Sequence, residues 1–146
     1  MKEGEAVLSY KELQQITGDG MDHSGEFKIL IVDDNVFDSE LMLLELHHQS
    51  QIKITSKIVT DKHSYLEALK TFLPDVVYCD FIISPDFNAL TAVRVLKRDH
   101  PDVSFVLVTG TLSEEVASLC ISEGIDDYVL KSNMERLPLS LINSIN

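Results

Sequence analysis

The sequence predicts an α/β protein: a doubly wound, five-stranded parallel sheet with helices on both faces, made from five consecutive β/α units. Three observations carry this reading. From Phe27 onward, short apolar runs alternate with segments of helical spacing, the pattern of repeated βαβ crossovers. Three of the runs, Ile29-Leu30-Ile31-Val32, Val76-Val77-Tyr78-Cys79 and Phe105-Val106-Leu107-Val108, are almost wholly apolar, as strands buried on both faces must be. The chain-breaking residues Pro74, Pro101 and Gly124 fall between the periodic segments rather than inside them.

The strands are expected over Lys28–Asp33, Lys53–Val59, Asp75–Asp80, Ser104–Thr109 and Asp127–Lys131. The second alternates (Ile52, Ile54, then Ile58) and so belongs nearer an edge. Asn35 caps the first helix, whose apolar face is read as Phe37, Leu41 and Leu44 with further leucines. Tyr65, Leu66, Leu69 and Phe72 mark the second helix, and Leu90, Val93 and Leu96 the third. Ser113 before Glu114 and Glu115 starts the fourth, since a hydroxyl cap and acids both favour a helix N-terminus, and Gly124 ends it. Pro138 suits the first turn of the last helix, which leaves Asn133–Leu137 as a separate tight turn. Five such units fit the flavodoxin-like strand order 2-1-3-4-5, an assignment by class, with the site beyond the carboxyl ends of the strands. Residues 1–26 lack this regularity. Val7, Tyr10, Leu13 and Ile16 give a short helix-like stripe that Thr17-Gly18-Asp19-Gly20 breaks, so 1–26 reads as an appendage or linker and 27–146 as the domain.

Composition narrows the function classes. With 24 acids against 12 Lys and Arg the formal charge is −12, and no basic cluster exists to follow a phosphate backbone, which argues against direct nucleic-acid binding. No apolar run approaches the roughly 18 residues of a membrane span and the N-terminus has no signal core, so the expectation is a cytoplasmic protein without membrane insertion. Cys79 and Cys120 lie far apart within apolar stretches and read as buried core residues, neither a disulfide framework nor a redox or zinc pair. The adjacent His47 and His48 project in different directions from a helix and do not read as a metal site. Arg94, Lys97 and Arg98 read as a solvated helix face.

What matters is where a few polar residues fall. Asp33 and Asp34 close the first strand, Asp80 the third, Thr109 the fourth and Lys131 the fifth. In the order 2-1-3-4-5 the first and third strands are neighbours, so three carboxylates converge on one rim, where they stay ionised together only if a cation offsets them. A hard cation with oxygen ligands suits such a set, and Mg²⁺ favours a couple of carboxylates plus waters and phosphate oxygens. Lys131 is a point charge fit for a phosphoryl oxygen, Thr109 offers a hydroxyl, and Gly110 leaves room beside it. An in-line carboxylate nucleophile with cations on the equatorial oxygens is a complete set for forming an aspartyl phosphate.

These residues sit in four segments: Ile29-Leu30-Ile31-Val32-Asp33-Asp34-Asn35, Val77-Tyr78-Cys79-Asp80, Val108-Thr109-Gly110 and Asp127-Tyr128-Val129-Leu130-Lys131. In that order the chain resembles the receiver domain of two-component response regulators. The resemblance implies Asp80 as phosphoacceptor, Asp34 as a direct metal ligand, Asp33 as a ligand acting largely through water, and the Ile82 carbonyl as a further ligand of Mg²⁺. It implies that Thr109 and Lys131 contact the phosphoryl group. Thr109 and Tyr128 become a switch pair that remodels the face of helix 4, strand 5 and helix 5. It further implies a histidine kinase or histidine phosphotransfer protein as donor, and no enzymatic activity beyond the protein's own phosphorylation and dephosphorylation.

Two places depart from the family pattern. Pro85 stands five residues after Asp80 rather than four, an apparent one-residue insertion that could displace the Ile82 carbonyl. Ser132 follows Lys131 where the family commonly has a cis proline, and for serine a cis bond costs about 2.5–4 kcal/mol. These departures support an alternative, a pseudo-receiver that binds or dimerises without phosphorylation. A phosphohydrolase of the haloacid-dehalogenase type would need a second acid two residues after its nucleophile, but position 82 is Ile, and position 35 is Asn. A single-domain regulator, a homodimer, and attachment to a kinase or output domain all stay open.

Overall fold

The computed structural model describes residues 26–49, 53–110 and 113–145; the appendage read over 1–26 falls outside them apart from Glu26. In chain order the elements are β1 (Glu26–Val32), α1 (Val36–Gln49), β2 (Lys53–Val59), α2 (Lys62–Thr71), β3 (Val76–Cys79), β4 (Ile82–Ser84), β5 (Phe87–Asn88), α3 (Ala89–Asp99), β6 (Ser104–Thr109), α4 (Glu114–Glu123) and β7 (Asp127–Leu130). A 3₁₀ turn over Lys131–Arg136, kinked at Asn133, then leads into α5 (Leu137–Ile145). The main sheet runs β2-β1-β3-β6-β7, all parallel. Counting its strands alone, that is the expected order 2-1-3-4-5, with β2 at an edge.

The period-two alternation of the strands splits the core into two layers. Leu30, Val32, Val77, Cys79, Phe105 and Leu107 face α2 and α3 with Tyr65, Leu69, Val93 and Leu96. Ile29, Ile31, Val76, Tyr78, Val106, Val108 and Val129 face α1 and α5 with Met42, Leu46, Leu137 and Leu141. This two-sided burial is why the strands carry unbroken apolar runs.

The caps follow the side chains. Asn35 Oδ1 accepts from the Asp38 N–H, Asp61 from Ser64, Asn88 from Thr91 and Ser113 from Val116. Gly124 ends α4 at φ 107°, a left-handed conformation that glycine adopts without a Cβ penalty. Both cysteines are free and buried.

The structure corrects two expectations. Phe37, Leu41 and Leu44 are exposed, Phe37 at 79 %, while Ser39, Met42 and Leu46 face the sheet. The helix carries apolar residues around most of its circumference, so spacing alone did not decide which face turns inward. After Asp80, β4 and β5 pair as an antiparallel hairpin around Pro85-Asp86, with a register shift between Ile82 and Ser84 where an extra residue is taken up. Lys97 is not simply solvated, since its amine bonds Asp126 and the Val103 carbonyl and ties α3 to the start of β7. Arg94 pairs with Glu123 and Arg98 with Asp99.

Candidate functional site

Register places the site. Val32 lies level with Val59 on one side and Cys79 on the other, and the N–H groups of Asp33 and Asp80 continue the ladder by donating to the Val59 and Val32 carbonyls. Asp33 and Asp80 therefore leave the sheet side by side. Both continue the alternation of the layer beneath α1 and α5, as Lys131 does after Val129. The three side chains meet there. Lys131 Nζ stands 2.8 Å from Asp80 Oδ2, 2.9 Å from Asp33 Oδ2 and 2.6 Å from Asp38 Oδ2. No cis peptide occurs among the described residues, so Lys131 reaches these partners across a trans bond to Ser132.

Hydrogen bonds fix the carboxylates. The Phe81 N–H donates to Asp80 Oδ1 at 2.7 Å and the Asn35 N–H to Asp33 Oδ1 at 2.9 Å. Asp33 is fully buried, and its Oδ2 lies 2.9 Å from the Lys131 ammonium. Burial raises the Asp33 pKa above its ordinary value, with the Asp80 charge adding to the effect, while the Asn35 N–H and Lys131 work against it. For Lys131 burial acts downward, but the bonds to Asp38, Asp80 and Asp33 outweigh it and hold the ammonium charged.

Among the described residues, Asp33, Asp34 and Asp80 bring one oxygen each to within 4.8 Å of one another. A fully buried carboxylate within an all-oxygen set of three acids fits a hard divalent cation. Beside it opens a cleft of about 400 Å³ lined by Asp38, Asp80, Phe81, Ile82, Thr109, Gly110 and Lys131. Thr109 is nearly buried at the end of β6, and a Cβ added at Gly110 would meet nothing within 4 Å, so the cleft stays open there. Ile82 is 61 % exposed on β4 and Tyr128 41 % exposed on β7.

The residues read from the sequence thus arrive at one rim: Asp33 and Asp80 lie in reach of both Asp34 and Lys131, with Thr109 and Ile82 on the cleft wall. Tyr128 lies beyond it. Asp38 was missed. Its one sequence signal is an acid in the first turn of a helix that begins at this rim; the Lys131 it meets is 93 positions away.

Replacing Asp33 with asparagine tests the buried carboxylate. A raised folded pKa means that Asp33 favours the fold below its unfolded value, near 3.8, and loses that contribution as pH rises through the folded one. Above both values the metal-free protein has lost that contribution. Asp33→Asn is expected to stabilise it by about 0.5–2 kcal/mol in urea titrations, and to weaken Mg²⁺ binding by about 10–100-fold in calorimetry.

A five-stranded parallel sheet of this order gathers carboxylates and a lysine at the carboxyl ends of its strands, where doubly wound folds place their sites. A family model described as "response regulator receiver domain" matches residues 29–142, and the chain belongs to that family. It is 25 % identical over 105 residues to the response regulator protein VraR of Staphylococcus saprophyticus, a match that covers 72 % of this chain and 49 % of that protein. The VraR of Staphylococcus aureus is 24 % identical over the same coverage, so the chain spans about half the length of the curated relatives it matches. Among solved structures, the receiver domain of NtrX from Brucella abortus superposes with a TM-score of 0.72 at 25 % identity, over 80 % of this chain and 97 % of that one. A CheY-like receiver protein from Methanospirillum hungatei JF-1 shares the fold with a TM-score of 0.70 at 20 % identity, over 82 % and 93 %.

Proposed function

We propose that this protein is a phosphorylation-dependent switch in a two-component phosphorelay, taking a phosphoryl group onto Asp80 with Mg²⁺. The observation that carries the reading is the position of Asp80: its Oδ2 lies on the Lys131 ammonium and its carboxylate belongs to the three-acid cluster. In the transfer an Asp80 oxygen forms a bond to phosphorus while the bond to the donor breaks, and the donor leaves with the electron pair. The Phe81 N–H holds Asp80 so that one oxygen is presented to the cleft. Lys131 and Thr109 receive the equatorial oxygens. A bound Mg²⁺, held by Asp33, Asp34, Asp80 and the Ile82 carbonyl, would supply positive charge to offset the acids and the transferring group. Residues 27–146 form the receiver, and 1–26 an appendage to it.

The donor in this reading is the phosphohistidine of a histidine kinase or phosphotransfer protein. The output is a change in the face of α4, β7 and α5, where Tyr128 moves as Thr109 shifts toward the phosphoryl group. A homodimer or an attached kinase or output domain would read that face. None of the described helices is long and apolar enough to cross a membrane.

Incubation with acetyl phosphate, with and without Mg²⁺, tests the proposal. A Mg²⁺-dependent, base-labile species that retards the band on a phosphate-affinity gel supports it. If the folded protein forms none, the chain is a pseudo-receiver that acts by binding alone. A second measurement concerns lifetime. Ile82 presents an apolar, exposed side chain to the cleft and gives an attacking water nothing to bond. Ile82→Asn is expected to shorten the dephosphorylation half-time severalfold, about what one added hydrogen bond of 0.5–1.5 kcal/mol provides; an equal or longer half-time would count against this.

A further inference from the structure

We propose that Asp38 is a positioning residue that competes with the phosphoryl group for Lys131 and so sets how readily the switch is charged. The inference rests on the phosphoacceptor reading and deepens it. Asp33, Asp80 and Lys131 each follow directly after a sheet strand, and Asp34 comes next after Asp33. Asp38 comes instead from the first turn of α1, and its contact with Lys131 Nζ, at 2.6 Å, is the shortest of the three that the ammonium makes. It also lines the same cleft as Asp80 and Thr109.

The charges make the contact consequential. Asp33, Asp38 and Asp80 surround one lysine, and Asp34 clusters with Asp33 and Asp80. A divalent cation would answer the three clustered acids but not Asp38, which lies outside that cluster among the described residues. Asp38 thus keeps its claim on Lys131 when the metal is in place. A phosphoryl group on Asp80 needs the same ammonium for its own oxygens, and the more tightly Lys131 is held by Asp38 the less of its charge is left to give. Whatever the ion pair stabilises in the resting protein and loses in the charged one is subtracted from phosphoryl affinity. A second carboxylate on the cleft wall therefore acts as a brake.

Beryllofluoride, which completes a phosphoryl-like tetrahedron on a carboxylate oxygen, reads this directly. Its affinity is measured by calorimetry at saturating Mg²⁺ for the wild type, Asp38→Asn and Asp38→Glu. Thermal melts of the metal-free wild type, Asp38→Asn, Lys131→Met and the double variant report whether the two residues are coupled at rest. Asp38→Asn is expected to bind beryllofluoride about fivefold to tenfold more tightly, Asp38→Glu to stay near wild type, and the melting shifts of the two single variants to be non-additive. A purely structural acid in the first turn of a helix would lower the melting temperature without touching the affinity. Unchanged or weaker affinity in Asp38→Asn, or additive melting shifts, overturns the proposal. If no variant, the wild type included, takes up beryllofluoride, the phosphoacceptor reading fails and takes this one with it; that result is distinct from equal, measurable affinities.

Discussion

Asp80→Asn is expected to abolish phosphoryl uptake from acetyl phosphate while leaving the fold intact. An amide is no nucleophile toward phosphorus, and deleting the nucleophile of a covalent mechanism removes on the order of 10⁴–10⁶ of rate elsewhere, so the retarded band should vanish. The substitution is nearly isosteric. Its Oδ1 can still accept from the Phe81 N–H, and Lys131 keeps Asp33 and Asp38. One negative charge also leaves a crowded rim, so the melting temperature should hold or rise. These features separate loss of chemistry from loss of structure. A Mg²⁺-dependent phosphoform surviving in Asp80→Asn would move the acceptor to another residue and sink the assignment.

Lys131→Met carries the second large effect, and it falls on stability as well as chemistry. The ammonium is the shared partner of Asp33, Asp38 and Asp80, and its side chain is only 16 % exposed. Removing it leaves three carboxylates facing one another, one of them fully buried. Breaking a buried pair costs about 3–5 kcal/mol, and the access of Asp38 and Asp80 to solvent puts this case toward the lower end. In a domain of this size that is a fall of roughly 10 °C in melting temperature without metal. Mg²⁺ should return more of the loss in Lys131→Met than it adds to the wild type, because a ligand stabilises in proportion to its preference for the folded state. Phosphorylation should fall by about 10²–10³ even at saturating Mg²⁺, the usual cost of losing one charge stabiliser at a transferring group. Equal Mg²⁺ shifts in the two proteins would mean that Lys131 does not neutralise the acid cluster.

The fold was legible because its signals are local and repeated. Runs such as Ile29–Val32 and Phe105–Val108 can only be satisfied by burial on both faces, and Asn35, Ser113 and Gly124 mark helix ends through bonds to near neighbours. The site residues were legible for a related reason. In a parallel sheet of this order the strand ends meet on one rim, so residues at the ends of separate runs can be read as one constellation.

Other features had no such signal. The strands of the hairpin after Asp80 are three and two residues long, too short to show a period. The inward face of α1 was misread because Phe37, Leu41 and Leu44 are as apolar as Met42 and Leu46. Packing against the sheet chose among them, and a helix apolar on several sides leaves that choice to tertiary contacts. Asp38 was invisible for the same reason. An acid in a first helical turn is ordinarily explained by the helix dipole, and only docking α1 over the layer that holds Asp33, Asp80 and Lys131 turns it into a ligand of the lysine.

The sequence by itself determined the sheet, its order by class, and the acids, threonine and lysine at the strand ends, because period and position along a strand are properties of the chain. The tertiary structure decided which face of α1 turns inward, how the extra residue before Pro85 is absorbed, and that Lys131 meets three carboxylates. Those are matters of distance between segments far apart in the chain, and distance is set only when the layers pack.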